Sequence, residues 1–261
     1  MIHYLILNLL IAHVIGDFYL QTKDFCENKL LYSVKGKSLW LHALIIGILS
    51  WVAIWDVRGW WLTLGIMVVH FLTDWLKSYV QLKMDIFAIG TNNKIFSGAK
   101  RRNDLWIFLT DQILHIAILI VGAYVWFSIN NDWKPVSWLQ DFITYHPLRL
   151  KTIIAFLLAL KPANILILLV LETCKVNINT MKEDEHGSFH SGELIGWLER
   201  GLILLFVIMS QYEAIGFLIA AKSILRFNEA SKGDEKSEYV LAGTLLSLAI
   251  ALCLGICAVR I

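Results

Sequence analysis

The sequence is poor in charged residues, in proline and in cysteine, and each shortage excludes a class of protein. Charged residues make up 17% of the 261 positions, whereas soluble domains carry about 25%. Three prolines and 16 glycines are too few for a collagen-like or low-complexity chain. A formal net charge of +2 does not indicate a general nucleic-acid binder. Together these shortages argue against a soluble globular enzyme, a disordered regulator and a fibrous protein.

The motifs of the common soluble chemistries are also missing. The sequence contains no Walker loop, no dinucleotide-binding fingerprint, no G-x-S-x-G and no H-E-x-x-H. The four cysteines, Cys26, Cys174, Cys253 and Cys257, show neither C-x-x-C spacing nor the pattern of a disulfide framework. We therefore expect four reduced thiols.

Hydrophobic residues are what the chain has in excess, at 57% of its length and a mean hydropathy of +0.63. A membrane-spanning helix needs about 20 apolar residues. Eight stretches qualify, at residues 2–20, 38–55, 59–80, 104–128, 148–172, 193–210, 211–227 and 238–259. We predict an all-α polytopic transmembrane helix bundle of about eight spans, with seven to nine allowed. Its two four-helix halves, residues 1–130 and 148–261, are expected to form a single membrane-embedded unit.

The distribution of basic residues predicts the orientation of these spans. The connections after the first, third and seventh predicted spans are rich in lysine and arginine, whereas those after the second, fourth and sixth are poor in them. By the positive-inside rule the odd-numbered connections are cytoplasmic, and both termini lie outside. The opposite helix ends carry Trp51, Trp55, Trp60, Trp61, Trp126, Trp133 and Trp138. Such a cluster is typical of an interfacial aromatic belt.

Histidine and aspartate recur inside the first four predicted spans. The recurring residues, which we call the His/Asp cluster, are His13, Asp17, His42, His70, Asp74, Asp111 and His115. Three His–Asp pairs are separated by four positions, which places both side chains of a pair on one helix face. Histidine precedes aspartate in the first and third spans, whereas aspartate precedes histidine in the fourth span. The fourth span also crosses the membrane in the opposite direction, so every pair has its aspartate nearer the cytoplasm. At 1.5 Å per residue the cluster lies within roughly 5–16 Å of the inner boundary.

Ionisable residues inside membrane spans are costly, and they usually mark a functional site. Imidazole and carboxylate ligands together suit Zn, Mn, Fe or Co, so the pattern predicts one or two divalent transition-metal ions. Some of the carboxylates would instead orient the imidazoles. Proton chemistry and simple hydrogen bonding between helices are the alternatives. Gly16 and Gly47 would let neighbouring helices approach closely.

The second half carries basic and acidic residues toward the cytoplasmic side. Lys161 and Pro162 interrupt the fifth span, where proline frees backbone carbonyls. The candidate substrate-binding residues are Lys161, Glu199, Arg200, Lys222, Arg226 and Glu238. The cations predict an anionic substrate, because arginine donors match phosphate oxygens, and the two glutamates are candidate ion-pair partners. Alternatively, Lys222 and Arg226 extend to the membrane interface.

Several of these segments resemble a bacterial membrane family known as domain of unknown function 3307. They are Ala12–Gln21, the helix of His42, His70–Lys77, Asp111–His115, Gly196–Arg200, Ala221–Ser223 and Arg226–Phe227, and the resemblance covers nearly the whole chain. The first half is also similar to a group of bacterial inner-membrane metal-dependent hydrolases, although only His42 matches that group's His-Arg-Gly-x-Thr-His-Ser segment. The resemblance implies the inner (cytoplasmic) membrane and favours a metal site.

The leading functional hypothesis is a metal-dependent hydrolase whose site opens toward the cytoplasm. The His/Asp cluster would hold one or two ions, and an activated water would attack a phosphoester or related bond. Of Asp17, Asp74 and Asp111, one that does not bind metal would act as general base. The substrate would be a small or lipid-linked anion, and membrane lipids would be partners. A transporter of metal ions or of a proton-coupled anion and a non-catalytic membrane scaffold are the alternative functions.

Overall fold

The computed structural model of the protein describes residues 1–32, 36–91, 94–134, 148–174, 188–227 and 234–260. Within these ranges the chain is helical and contains no strand. The helices are α1 (Ile2–Val14), α2 (Lys23–Tyr32), α3 (Lys37–Ile54), α4 (Trp60–Thr91), α5 (Lys94–Ile129), α6 (Leu148–Ala159), α7 (Lys161–Thr173), α8 (Ser188–Ile208), α9 (Tyr212–Phe227) and α10 (Asp234–Arg260). The helices confirm the all-α prediction. The physical reason is that an apolar span must satisfy its backbone hydrogen bonds internally.

Five helical segments of the described chain are long and apolar enough to cross a membrane. They are Ile2–Tyr19, Lys37–Ile54, Asn103–Ile129, Leu150–Thr173 and Leu241–Val259. Large apolar side chains such as Ile113 and Ile129 are about two-thirds exposed, which is typical of a surface that faces lipid. These findings indicate a membrane protein. The other three predicted spans fall on α4 and α8, which carry ionisable residues, and on α9, which has 16 residues. Their crossing stays a prediction, as does the orientation.

The chain divides into two compact units, Met1–Leu150 and Lys151–Ile261. In the first unit α1 and α4 each pack against both α3 and α5, which makes a four-helix bundle, and α2 lies against α3 and α4. Leu5 and Leu9 of α1 meet Ile46, Ile66 and Leu119 in its core. Helix α2 was not predicted, because it lies in the stretch that was expected to be a connection between the first two spans.

Two tryptophans assigned to the aromatic belt are instead buried in this core. Trp126 and Trp133 belong to the apolar cluster of the first unit, and the Trp133 indole Nε1 donates to the backbone oxygen of Ile54 at 3.0 Å. Trp51, Trp55 and Trp60 are exposed, as a belt requires. The belt prediction is therefore wrong for Trp126 and Trp133, because helix ends inside a bundle face other helices as well as lipid.

The close helix approach predicted at Gly16 is present. A Cβ built on Gly16 would lie 2.3 Å from Cδ1 of Ile46, so a larger residue would force the Ile46 side chain or the helix to shift. A π-helical turn, Ile15–Tyr19, continues α1 at the same place, with the amide of Leu20 donating to the oxygen of Ile15 at 3.0 Å. Single π turns are frequent at functional sites.

In the second unit α10 packs against α7 and α8, and α9 packs against α8. The helix interruption predicted at Lys161 and Pro162 lies between α6 and α7. Ser210 has a left-handed backbone with a φ of 58° and separates α8 from α9. The stretch around Ser210 and Gln211 thus divides two helices, in agreement with the predicted boundary.

Candidate metal centre

Each of the four helices of the first bundle contributes to one buried polar site. The first span supplies His13 from α1 and Asp17 from its π turn, and α3 supplies His42. His70 and Asp74 come from α4, and Asp111 and His115 come from α5. All seven side chains of the His/Asp cluster are exposed by 8% or less. The spacing of four positions places each His–Asp pair on the inward helix face, and packing of the apolar faces brings the pairs together.

Three ligand atoms form a small triangle at the centre of the site. The Asp17 Oδ1 atom lies 3.1 Å from His42 Nε2 and 3.3 Å from His70 Nε2. The two nitrogens are 2.9 Å apart. Ligands of a tetrahedral ion with bonds of about 2.0–2.1 Å are separated by roughly 3.3 Å, so the triangle has the size of one face of such a site.

The triangle is one of three groups whose ligand atoms all lie within 4.8 Å of one another. The other two groups are His13, Asp17 and His115, and His70, Asp74 and His115. Asp17 and His70 each belong to two of the three groups, so the possible sites overlap. Six of the seven predicted ligands are thus brought together, and these buried groups could hold a metal ion.

Asp111, the seventh predicted ligand, belongs to none of these groups. Its Oδ2 atom accepts hydrogen bonds from Lys77 Nζ at 2.8 Å and from Gln112 Nε2 at 3.1 Å. Its backbone oxygen accepts from Nδ1 of His115 at 2.8 Å, which leaves the His115 Nε2 atom unprotonated in a neutral ring. Thr73 Oγ1 lies 2.9 Å from that atom. The backbone oxygen of Asp111 therefore orients the imidazole of His115, a role that backbone carbonyls often have near metal sites, whereas its carboxylate pairs with Lys77.

Two atoms of the site are buried without a hydrogen bond from the described chain. They are Nδ1 of His13 and Oδ1 of Asp17. The Asp17 oxygen lies 3.1 Å from His42 Nε2 and 3.3 Å from His70 Nε2, without a hydrogen bond of good geometry to either nitrogen. Buried polar atoms almost always have a partner, and an unpaired carboxylate oxygen is especially costly in a low-dielectric interior. A bound cation would satisfy the buried carboxylate oxygen of Asp17.

Lys29 and Gln21 are site residues that the sequence analysis missed. Lys29 of α2 is buried, and its Nζ atom lies 2.5 Å from Asp74 Oδ2 and 3.3 Å from Gln21 Oε1. The amide nitrogen of Gln21 lies 2.9 Å from Nδ1 of His42 and 2.8 Å from Nε2 of the same ring. Sequence reasoning counted Lys29 only as a positive charge of a cytoplasmic connection. The sequence did contain one indication of such a residue, because three buried carboxylates require nearby cations.

The predicted substrate-binding residues of the second unit have partners within that unit. The Arg200 guanidinium is buried and donates to the backbone oxygens of Ala159 and Leu160 and to Oγ of Ser247. The ammonium of Lys222 pairs with Glu199. Arg200 therefore binds the carbonyls next to the helix interruption and links them to α10. These contacts are structural, and they lend no support to a role in binding substrate.

Three further residues were predicted to bind substrate, namely Arg226, Glu238 and Lys161. The side chains of Arg226 and Glu238 lie outside the described part of the structure. Lys161 is the first residue of α7 and stands directly after the interruption. The four cysteines are free, as predicted.

Comparison with known proteins identifies the family. The family model described as a protein of unknown function, DUF3307, matches residues 5–144, which is more than half of the chain. The chain therefore belongs to this family, as its motifs indicated. The match includes every residue of the His/Asp cluster and also Lys29. No curated protein and no solved structure matches the chain, so the similarity to metal-dependent hydrolases stays an expectation.

Proposed function

We propose that this member of the DUF3307 family is a metal-dependent hydrolase of the bacterial inner membrane. Its His/Asp cluster would bind a divalent transition-metal ion, and its substrate would be a phosphate ester or a similar anion, either small or lipid-linked, reached from the cytoplasmic side. The observation that carries the proposal is the triangle formed by Asp17 Oδ1, His42 Nε2 and His70 Nε2, with sides of 2.9–3.3 Å.

Hydrogen bonds alone account poorly for this triangle. Two imidazole nitrogens that face each other at 2.9 Å can share only one proton, and Asp17 Oδ1 accepts no hydrogen bond. A cation at the centre would satisfy all three atoms at once. Two nitrogens and one carboxylate oxygen match the preferences of zinc, manganese or iron better than those of calcium or magnesium.

The carboxylates near the ion position support a hydrolytic role. The bound ion would supply a water that is deprotonated near neutral pH. A carboxylate outside the triangle, Asp74 or Asp111, would accept the water proton. The water oxygen would form a bond to phosphorus, the bond from phosphorus to the leaving oxygen would break, and that oxygen would take up a proton.

Lys77 is the best-placed cation of the first unit for an anionic substrate. Its side chain is 28% exposed, and its ammonium makes one hydrogen bond in the described structure, to Asp111. An ammonium has three hydrogens, so Lys77 could contact Asp111 and a phosphate oxygen at the same time. The role predicted for Lys161, Arg200 and Lys222 in binding the anion remains a separate prediction, which the contacts of Arg200 and Lys222 do not favour.

Metal content and phosphoester hydrolysis test the proposal together. Wild type purified in detergent should contain stoichiometric transition metal by elemental analysis, and it should hydrolyse p-nitrophenyl phosphate or phosphatidic acid. The variant carrying both His42→Ala and His70→Ala should lose the metal and the activity. His3→Ala, which removes an exposed histidine of α1, is the matched control and should keep both. Wild type without stoichiometric metal, or a double variant that retains it, would refute the metal site.

Reconstitution into lipid vesicles separates hydrolysis from the alternatives. A protein that binds metal, cleaves no phosphoester and accumulates metal or phosphate inside vesicles would be a transporter. A metal-free protein that keeps its fold after the His42 and His70 substitutions would be a scaffold, with the His–Asp pairs serving only as hydrogen bonds between helices.

A further inference from the structure

Lys29 places a positive charge against the carboxylate of one of the possible metal positions. Of the three groups of converging ligand atoms, one consists of His70, Asp74 and His115. The carboxylate of this group is the one that the Lys29 ammonium contacts at 2.5 Å. Lys29 reaches it from α2, which packs against α3 and α4, and its side chain is only 11% exposed.

The charge balance of the site favours one divalent ion over two. The cluster holds three carboxylates, and two ammonium groups contact them, Lys29 at Asp74 and Lys77 at Asp111. With neutral imidazoles this leaves one net negative charge, on Asp17. One divalent ion together with one hydroxide or singly charged anion would make the site neutral. A second divalent ion with the same anion would leave two positive charges in a buried site, which is strongly unfavourable.

We propose that Lys29 is a tethered cation that occupies the second metal position, formed by His70, Asp74 and His115, and that the protein consequently binds a single divalent ion at Asp17, His42 and His70. This inference rests on the proposed metal site and adds its stoichiometry. It also assigns α2 a function, since this helix carries the ammonium that limits the site to one ion.

Replacing Lys29 should open the second position. We expect wild-type protein in detergent, loaded with Zn²⁺ and desalted, to retain one zinc per chain by elemental analysis, and Lys29→Met to retain two. Lys77→Met is the matched control, because it also removes one ammonium from a buried carboxylate. Asp111 belongs to no group of converging ligands, so this control should retain one zinc. Lys29→Arg, which keeps the positive charge, should also retain one.

Each result decides a different statement. Two zinc ions in wild type, one in folded Lys29→Met, or two in Lys77→Met would overturn the role of Lys29, while the metal site itself would stand. No zinc in wild type would refute the proposed function. If Lys29→Met fails to fold because Asp74 is left unpaired, the double variant with Asp74→Asn removes both charges of the pair. One zinc in that variant would show that the resident site does not need Asp74, as the inference requires, and none overturns the inference, because Asp74 would then belong to the resident site.

Discussion

Asp17 differs from the other two aspartates of the cluster in its partners. Asp74 is paired with Lys29 and Asp111 with Lys77, whereas the described residues near Asp17 are histidines and Gln112. Its Oδ1 atom is buried without a hydrogen bond. A carboxylate in this environment is stable only with a counter-ion, so Asp17 is the residue on which a metal site should depend most.

Asp17→Asn therefore tests the site with almost no change of shape. The amide keeps the size of the side chain but loses the negative charge, so we expect the affinity for Zn²⁺ to fall by about 100-fold or more, beyond the range typical of substitutions in residues that only support ligands. Competition with a chromogenic chelator measures the change. Asp132→Asn is the control, because Asp132 is exposed and pairs with Arg58, outside the His/Asp cluster. Equal affinities of the Asp17 variant and wild type would exclude Asp17 as a ligand.

At the scale of helices, the break between α6 and α7 is stabilised by a residue that is distant in sequence, Arg200. Pro162 cannot donate a backbone hydrogen bond, and Arg200, about 40 positions later, donates to the oxygens of Ala159 and Leu160. A third donor of the same guanidinium reaches Ser247 of α10 at 3.2 Å. One side chain thus satisfies backbone groups that a membrane-embedded helix cannot expose.

Arg200→Met should destabilise the second unit by about 1–3 kcal/mol, since it leaves the backbone oxygen of Ala159 without the guanidinium donor, whereas the oxygen of Leu160 keeps the amide of Asn164. In a protein that carries Pro162→Ala, the loss of stability caused by Arg200→Met should be smaller by at least about 1 kcal/mol, because a continuous helix would supply backbone donors to these oxygens. Unfolding in mixed micelles measures both effects, with Ser223→Ala on α9 as the control. Additive costs of the two substitutions would show that Arg200 does not act through the interruption.

The contact between the first span and α3 is equally specific. We expect Gly16→Ala to cost about 1–3 kcal/mol by overpacking, because the added Cβ would lie 2.3 Å from Ile46 Cδ1. It should also weaken metal binding, since Asp17 would move away from His42. Ile46→Val removes the colliding carbon and should restore both properties in the double variant. If unfolding and zinc titrations show no rescue, the defect of Gly16→Ala lies elsewhere.

At the scale of the whole molecule, the converging ligand groups of the described chain all belong to the first unit. A ligand stabilises only the structure that binds it, by about 2.7 kcal/mol at 100 times its dissociation constant. Metal binding should therefore change the two compact units unequally.

Hydrogen exchange with and without Zn²⁺ tests this asymmetry. Amides of α3, α4 and α5 around His42, His70 and His115 should exchange more slowly with the ion, because opening of the bundle would then require its release. Amides of α8 and α10 should exchange at unchanged rates. Equal slowing in both units would place the ion, or its effect, beyond the His/Asp cluster.

The sequence by itself determined the helical class, the approximate bounds of five candidate spans and six of the seven predicted residues that converge. These features depend on local periodicity: apolar length defines a span, and a spacing of four positions places His and Asp on one face. The tertiary structure alone decided which cations meet those carboxylates. Lys29 contacts Asp74 across 45 positions, Arg200 contacts Ala159 across 41, and Trp126 lies in the core. No local pattern encodes these contacts, because they arise only when helices that are distant in sequence pack together.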